Sequence, residues 1–215
     1  IKRLLIYMSF FKLNRFHWHL TDNEAWRLDI ESFPNLAKYS SYRGYNQIIP
    51  PLYGTGYHKS GGFYSKNDIQ DLILFAKNLN IEIMPEIDLP AHSWALLQVM
   101  PELYDHTSNI ESQDVGNYKN NTINPALKKT SEFLEKVLSD ISKLFPYNII
   151  HVGVDERPKK AWEGSPEVIS FMKKYRIDSF DQLQDFYMNN IIYINKKNNK
   201  RTAAWNEAAL SPYND

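Results

Sequence analysis

The positions of apolar residues divide the chain into segments of helical and of extended character. Apolar side chains at every third or fourth position predict helices, and short apolar runs predict strands. We predict helices at 1–13, 65–79, 90–100, 125–144, 166–175 and 179–196, and strands at 15–20, 81–86, 147–154 and 201–205. Ser65 followed by Asp68 indicates a capping box, and Asn124 followed by Pro125 indicates another helix start.

Helices and strands alternate in this prediction, which is typical of parallel strands joined by helical crossovers. A doubly wound sheet and a β/α barrel both fit that order. No glycine-rich loop follows a strand, which argues against a nucleotide-binding sheet. Each strand ends in polar residues, and barrel enzymes collect catalytic groups at the carboxyl ends of their strands. We therefore predict an α/β fold of the (β/α)8 TIM-barrel type, in which segments 21–62 and 104–124 are loops at the barrel mouth.

Composition narrows the classes of function. The 215 residues include 25 Lys or Arg and 25 Asp or Glu with no basic block, which argues against a nucleic-acid partner. No apolar run approaches the roughly 18 residues of a membrane-spanning helix. The absence of cysteine excludes disulfides, thiolate metal ligands and a cysteine nucleophile. Aromatic residues make up 14% of the chain, and their faces suit sugar rings as well as core packing.

Carboxylates at the predicted strand ends are candidates for catalysis. Asp155 and Glu156 end an apolar strand, at a point where the backbone turns and both side chains can face one mouth of a barrel. Sugar hydrolysis needs a proton donor and a group that stabilises an oxocarbenium-like centre, which two carboxylates can supply. Glu86 and Asp88 share a face at the end of a second strand, and Asp22 follows a third.

Histidines keep a metal site open as an alternative. His17, His19, His92 and His151 fall at three of the strand ends, and His17 and His19 share a face as two zinc ligands would. The neighbouring carboxylates could complete such a site. The spacings match none of the helical zinc motifs, and cysteine is absent. The sequence therefore assigns no metal and no other cofactor.

Four blocks resemble family 20 of the glycoside hydrolases, the β-N-acetylhexosaminidases, in the order in which that family has them. They are KLNRFHWHLTDNEAWRL at 12–28, GGFYSKNDIQDLILFAKNLNIEIMPEIDLPAHS at 61–93, FPYNIIHVGVDE at 145–156 and RTAAWNEA at 201–208. The blocks are long and specific, and they anchor nearly the whole chain. The resemblance implies that residues 1–215 form part of one catalytic barrel, with strands 2 to 5 inside this range and the first and last three strands outside it.

The resemblance also implies a retaining mechanism in which the substrate's own 2-acetamido oxygen attacks the anomeric carbon. By motif position, Glu156 would be the general acid and then the base that activates water. Asp155 would orient the acetamido group and offset its developing charge. The supporting or substrate-binding residues would be Asp22, Glu86, Asp88, His92, His151 and Trp205, with Trp205 as one wall of the pocket for the acetamido methyl.

The chain departs from the family pattern at two positions. Ala91 and Val154 stand where the family usually has glycine, and both add bulk close to the site. The family's substrate-binding Arg belongs to the first strand, and further sugar-pocket residues belong to the last strands. We therefore expect the isolated 215-residue chain to be inactive or nearly so.

The resemblance implies glycans ending in N-acetylglucosamine or N-acetylgalactosamine as substrates, and the sequence does not decide between these sugars. Family members are lysosomal, secreted, periplasmic or cytosolic, so the compartment stays open, as does a homodimer. Two other functions remain as alternatives. One is a catalytically dead relative that binds amino sugars, against which the intact Asp155, Glu156 and His92 argue. The other is a metal-assisted barrel hydrolase, which a chelator would inactivate.

Overall fold

A computed structural model describes residues 1–51, 54, 56–108 and 110–209. The helices are α1 (Lys2–Phe10), α2 (Pro34–Ser40), α3 (Lys66–Asn78), α4 (Trp94–Val99), α5 (Lys128–Leu144), α6 (Pro166–Tyr175) and α7 (Phe180–Lys197). The strands are β1 (Arg15–His19), β2 (Thr21–Asp22), β3 (Ala25–Trp26), β4 (Tyr42–Arg43), β5 (Ser60–Gly61), β6 (Glu82–Glu86), β7 (Ile149–His151) and β8 (Arg201–Ala203). Two single 3-10 turns lie at Pro101–Leu103 and Asn206–Ala209.

A four-stranded parallel sheet in the order β1-β6-β7-β8 organises the fold. Its register aligns His19 with Glu86, Glu86 with His151, and His151 with Ala203. All four strands run in one direction, so their carboxyl ends lie along one edge of the sheet. The prediction of an α/β fold with parallel strands is confirmed.

The alternation of side chains along β6 separates the core from the site. Ile83 and Ile87 join the main hydrophobic cluster. Glu86 and Asp88 are also buried, and they lie one residue out of phase with Ile83 and Ile87. The core is closed by amphipathic helices such as α5, whose buried stripe consists of Phe133, Leu134, Val137, Leu138 and Ile141. Within the described ranges, no helix is both long and apolar enough to cross a membrane.

The two predicted helix starts have different outcomes. The capping box at the start of α3 is confirmed, because the Ser65 side chain accepts from the Asp68 backbone N–H and Asp68 accepts from the Ser65 N–H. The predicted start at Pro125 is wrong, since α5 begins at Lys128. Asn124 Oδ1 accepts from the Ala126 N–H at 2.9 Å, so its side chain closes a turn before the helix instead of capping it.

The predicted loop at 21–62 also contains more structure than expected. It holds the short helix α2, which has a proline in its first turn, and the antiparallel pairs β2–β3 and β4–β5. Proline in the first turn is a recognised start signal that the apolar pattern did not reveal. Several predicted elements are shorter in the structure: the strand at 147–154 is reduced to β7, and the helix at 90–100 to α4. Parts of both predicted loops, at 52, 53, 55 and 109, lie outside the described residues.

Candidate active site

The residues nominated from the sequence lie at the carboxyl ends of the parallel strands. They form two clusters, and Asp88 lies near both. The Glu86 cluster consists of His17, His19, Glu86, His151 and Trp205, and the His92 cluster consists of Asp22, His92, Asp155 and Glu156. Asp88 lies near both clusters: its Oδ2 is 4.0 Å from His19 Nε2, and one of its carboxyl oxygens lies within 4.8 Å of possible ligand atoms of His92 and Asp155.

In the Glu86 cluster, one fully buried carboxylate contacts three imidazoles. Glu86 Oε2 lies 2.7 Å from His17 Nε2 and 3.2 Å from His19 Nδ1. Glu86 Oε1 lies 3.1 Å from His151 Nδ1 and accepts a hydrogen bond from the Trp205 indole N–H at 3.0 Å. The carboxylate therefore fixes the orientation of the indole ring after β8.

Charge balance explains how this carboxylate is tolerated inside the protein. Burial by itself would raise the pKa of Glu86, but hydrogen bonds from His151, His17 and His19 outweigh it and hold the pKa well below its usual range. The contact with Glu86 raises the pKa of His19 to about 9, against the opposing effect of burial. Glu86 is thus ionised at neutral pH and paired with a protonated His19.

In the His92 cluster, the imidazole of His92 bridges three carboxylates. Its Nδ1 lies 2.9 Å from Asp22 Oδ1. Its Nε2 lies 3.6 Å from Glu156 Oε2 and 3.8 Å from Asp155 Oδ2. Two carboxylates that are adjacent in sequence therefore face the same nitrogen, as expected for a pair at a turning strand end.

The backbone after β7 brings Asp155 and Glu156 to this position. Gly153, Val154 and Glu156 have φ angles of 67°, 74° and 49°, in the left-handed region. At Gly153 a Cβ atom would lie 1.8 Å from Asp88 Oδ1, so only glycine fits there. For valine the left-handed conformation costs roughly 1–2 kcal/mol. Glycine adopts this conformation at little cost, which is a physical reason why the family pattern has glycine at the position that Val154 occupies here.

The second departure has a different environment. Ala91 is buried, and its φ is not in the left-handed region, whereas the next residue, His92, has a φ of 51°. The extra methyl group of Ala91 is thus accommodated without the backbone strain found at Val154. Of the two departures, only Val154 imposes a conformational cost at the site.

Asp88 is a buried acid whose ion-pair contact with His19 Nε2 is long, at 4.0 Å. It is 1% exposed, and neither of its carboxyl oxygens has a hydrogen-bond partner among the described residues. Its backbone N–H donates to Thr21 Oγ1 at 2.9 Å. Burial, with a contribution from the negative charge of Asp155, raises the pKa of Asp88 to about 9. Asp88 is therefore a neutral, protonated acid at pH 7.

His92 and Asp22 have the opposite character. Burial lowers the pKa of His92, but the hydrogen bond to Asp22 and the surrounding carboxylates raise it overall to about 9. Burial would raise the pKa of Asp22, but its hydrogen bonds with His92 and the Asn23 N–H hold it below its usual value. The pair is therefore an imidazolium held by a carboxylate, and it presents a positive charge to the Asp155–Glu156 pair.

Three groups of side chains at this edge could in principle ligate a metal, since the ligand atoms within each lie within 4.8 Å of one another. They are His17 with Glu86 and His151, His19 with Glu86 and Asp88, and Asp88 with His92 and Asp155. In the first two groups the ion pairs with Glu86 already account for the short distances. The third group includes Asp88, whose carboxyl oxygens have no hydrogen-bond partner among the described residues, so the metal alternative stays open there.

The structure brings together the eight residues that the sequence nominated as catalytic or supporting, along with the candidate zinc ligands His17 and His19. It also adds residues that sequence reasoning missed. Asn23 and Asp114 form hydrogen bonds beside the His92 cluster. Asn23 directly follows Asp22, which was the only signal available, and Asp114 lies in a polar segment without any recognisable motif.

Comparison of the sequence with known proteins gives a consistent result. Residues 1–214 match the family description "Glycosyl hydrolase family 20, catalytic domain". The chain is 36% identical over 209 residues to a beta-hexosaminidase of Vibrio furnissii, an alignment that covers 97% of this chain and 34% of that protein. It is 29% identical over 212 residues to the human beta-hexosaminidase subunit beta, covering 96% and 34% of the two chains.

Solved structures agree with the sequence comparison. An exo beta-N-acetylglucosaminidase of Vibrio harveyi, in complex with N-acetylglucosamine, has a TM-score of 0.96 and 37% identity, over 100% of this chain and 34% of that one. A chitobiase of Flavobacterium johnsoniae has a TM-score of 0.79 and 28% identity, over 98% and 29%. The chain thus spans about a third of the length of these relatives. Because the family match extends over nearly all of its residues, the chain belongs to glycosyl hydrolase family 20 and forms part of its catalytic domain.

Proposed function

We propose that the protein containing this chain hydrolyses terminal non-reducing N-acetyl-β-hexosamine residues of glycans or glycoconjugates. The observation that carries the proposal is the pairing of Asp155 and Glu156 against His92 Nε2, at 3.8 and 3.6 Å, with His92 held by Asp22. The relatives in the same family are beta-hexosaminidases, and one similar structure holds N-acetylglucosamine. These support a substrate ending in N-acetylglucosamine or N-acetylgalactosamine.

In the proposed reaction, the enzyme supplies protons and charge but no nucleophile. Glu156 donates its proton to the glycosidic oxygen while the 2-acetamido oxygen of the substrate attacks the anomeric carbon, so the bond to the leaving group breaks as an oxazolinium ring forms. Asp155 accepts a hydrogen bond from the acetamido N–H and offsets the positive charge of that ring. Ionised Glu156 then takes a proton from the water that opens the ring. Two inversions at the anomeric carbon give overall retention.

His92 and Asp22 support the acid in this scheme. The imidazolium of His92 lies next to the carboxylate that Glu156 becomes after it has donated its proton, and so stabilises that state. Asp22 holds the ring at Nδ1 and maintains its positive charge. On the other side of the site, Glu86 orients the indole of Trp205, which we assign to one wall of the acetamido-methyl pocket.

The family's catalytic domain has the TIM-barrel fold. We assign the four parallel strands β1, β6, β7 and β8 to strands 2 to 5 of that barrel, so residues 1–215 form part of a single catalytic domain. The assignment rests on the order of the four sequence blocks and on the parallel order of these strands in the sheet. It leaves the remaining strands of the barrel to polypeptide outside this range.

The test compares two aryl glycosides that differ only at the 2-position, an N-acetyl-β-glucosaminide and a β-glucoside, with the full-length protein. We expect rapid release of the aryl group from the first and none from the second. Glu156→Gln should lower kcat on the first by at least about 100-fold, the lower end of the usual effect of a general acid. The matched control is Glu135→Gln, the same change at an exposed position of α5, which should leave kcat unchanged.

The alternatives give different results in the same assay. Equal rates on the two glycosides would contradict a role for the acetamido group as nucleophile. Activity that a chelator abolishes, and that zinc restores, would support the metal-assisted hydrolase instead. Binding of N-acetylglucosamine without turnover would identify a catalytically dead relative.

A further inference from the structure

The polar segment at 111–122 is tied to the His92 cluster through one carboxylate. Asp114 Oδ2 accepts hydrogen bonds from Asn23 Nδ2 at 2.7 Å and from Asn121 Nδ2 at 2.8 Å. Asp114 Oδ1 accepts from the Tyr118 backbone N–H at 2.8 Å. Two side-chain amides from distant parts of the chain thus converge on one oxygen atom. We call Asp114, Asn23 and Asn121 the Asp114 clasp.

Asn23 connects the clasp directly to Asp22. Asn23 is 3% exposed, and its Oδ1 accepts from the Trp94 backbone N–H and from Asn121 Nδ2, both at 3.2 Å. Its own backbone N–H donates to Asp22 Oδ1 at 2.5 Å, the oxygen that also contacts His92. The position of Asn23 therefore determines the position of the carboxylate that holds His92.

A second connection reaches His92 from the other side. The N–H of Ser93, the residue after His92, donates to the Asn121 carbonyl at 2.8 Å, and the next N–H, of Trp94, donates to Asn23. Asn121 is fully buried. The clasp thus fixes the residues that directly follow Asp22 and His92 in the chain. His92 itself has a φ of 51°, in the left-handed region.

We propose that Asp114 is a positioning residue for acid catalysis: by joining Asn23 and Asn121, it holds the Asp22–His92 pair in the place where His92 supports Glu156. The inference rests on the proposed function and assigns the segment at 111–122 a role beyond shaping the barrel mouth. Asp114 does not contact the reacting atoms. It acts through Asn23, Asp22 and His92.

The clasp requires a carboxylate. An ionised carboxylate accepts hydrogen bonds at both oxygens, and here three N–H donors point at it. An asparagine at the same place has only one acceptor oxygen. Its NH2 group would face either the two amides or the Tyr118 N–H. Two hydrogen-bond donors would then point at each other, so at least one hydrogen bond of the clasp must break.

The choice of leaving group separates positioning of the acid from general structural support. A dinitrophenolate leaves without a proton, whereas the alcohol of a sugar leaves only if the general acid protonates it. A defect in the support of Glu156 therefore slows hydrolysis of a disaccharide and spares a dinitrophenyl glycoside. A defect in overall folding or in sugar binding slows both.

The experiment measures kcat/KM of the full-length protein on an N-acetylglucosamine disaccharide and on the 2,4-dinitrophenyl N-acetyl-β-glucosaminide. We expect Asp114→Asn to lower the value for the disaccharide by about tenfold or more and that for the dinitrophenyl substrate by less than about threefold. The control is Glu111→Gln, in the same segment, where Glu111 forms an exposed ion pair with Lys119 at 2.9 Å. It should leave both values unchanged.

Asn121→Ala provides an independent variant, since it removes one amide donor and leaves Asp114 and Asn23 in place. Its kcat/KM should also fall more on the disaccharide than on the dinitrophenyl substrate, but by a smaller factor than in Asp114→Asn. If Asp114→Asn does not fold, Asn121→Ala is the variant that tests the inference. If a folded variant loses kcat/KM equally on both substrates, or on neither, the inference about Asp114 is wrong, while the proposed function is unaffected. Failure of the wild-type protein to hydrolyse these substrates and the matching N-acetylgalactosaminides would instead refute the proposed function.

Discussion

Asp88 shows at the scale of one residue how burial changes chemistry. With both carboxyl oxygens buried and unpartnered among the described residues, its pKa is raised from 3.8 to about 9. The folded state therefore binds a proton that the unfolded state releases above about pH 4. The stability contributed by this group is fully present below pH 4, declines as the pH rises, and is lost above pH 9.

This linkage leads to a prediction for Asp88→Asn, which replaces the protonated acid with a neutral amide of similar shape. The stability of the variant relative to wild type should increase between pH 5 and pH 8, by up to about 1.4 kcal/mol per pH unit for one proton. Urea unfolding at both pH values measures the difference. As a control, Asp71→Asn changes an exposed carboxylate that pairs with Lys2, and its difference from wild type should not vary with pH. A pH-independent difference for Asp88→Asn would mean that Asp88 is ionised in the folded protein.

At the residue scale, sequence motifs identified the catalytic candidates but not their physical state. The meeting of Asp155, Glu156 and His92 was predictable, because parallel strands place their carboxyl ends together. The burial of the Asp88 carboxyl group without a hydrogen-bond partner among the described residues was not, because it depends on packing against segments far away in sequence, such as the one that contains Gly153. The strain at Val154 could be suspected only from the family's glycine, since no local pattern requires a left-handed valine.

At the scale of an element, the capping box of α3 should make a measurable contribution to stability. The Asp68 N–H donates to Ser65 Oγ at 3.2 Å, and the Ser65 N–H donates to Asp68 Oδ2 at 2.9 Å. We expect Ser65→Ala to lower the free energy of unfolding by about 1 kcal/mol. Ser142→Ala is the control, because Ser142 donates to the Leu138 carbonyl inside α5 and caps nothing, so it should cost little or nothing. Equal costs for the two variants would show that the cap has no special role.

The helices and strands differ in how far the sequence predicted them. Long amphipathic segments such as α5 and α7 were found because their apolar faces repeat with the helical period. The start of α5 was misplaced because the Asn124 side chain can either cap a helix or close a turn. Its hydrogen bond to Ser165, on a distant segment, helps to hold it in the turn, and the sequence does not reveal that contact. The short pairs β2–β3 and β4–β5 were missed because two-residue strands carry no periodicity.

At the scale of the molecule, the site is open on one side. Trp205 is 41% exposed, and the side chain of Glu156 is 48% exposed. Among the described residues, β1 pairs only with β6 and β8 only with β7, so both edges of the parallel sheet can accept further strands. Exposed apolar side chains on α1, including Ile6 and Phe10, lie in the element that leads into the β1 edge. These features fit a chain that spans about a third of its relatives.

The openness leads to the prediction that residues 1–215, expressed alone, hydrolyse N-acetyl-β-glucosaminides little or not at all, whereas the full-length protein hydrolyses them rapidly. In the proposed site, Asp155, Glu156 and Trp205 would contact the sugar, and Glu156 and Trp205 are open to solvent here, at 48% and 41% exposure. Further binding energy is needed to orient the sugar and exclude water. Circular dichroism must show that the isolated chain retains its helices, so that inactivity reports an incomplete pocket rather than unfolding. Turnover by the folded isolated chain would mean that these residues already form a sufficient site, and that the remaining polypeptide acts in stability or in substrate choice.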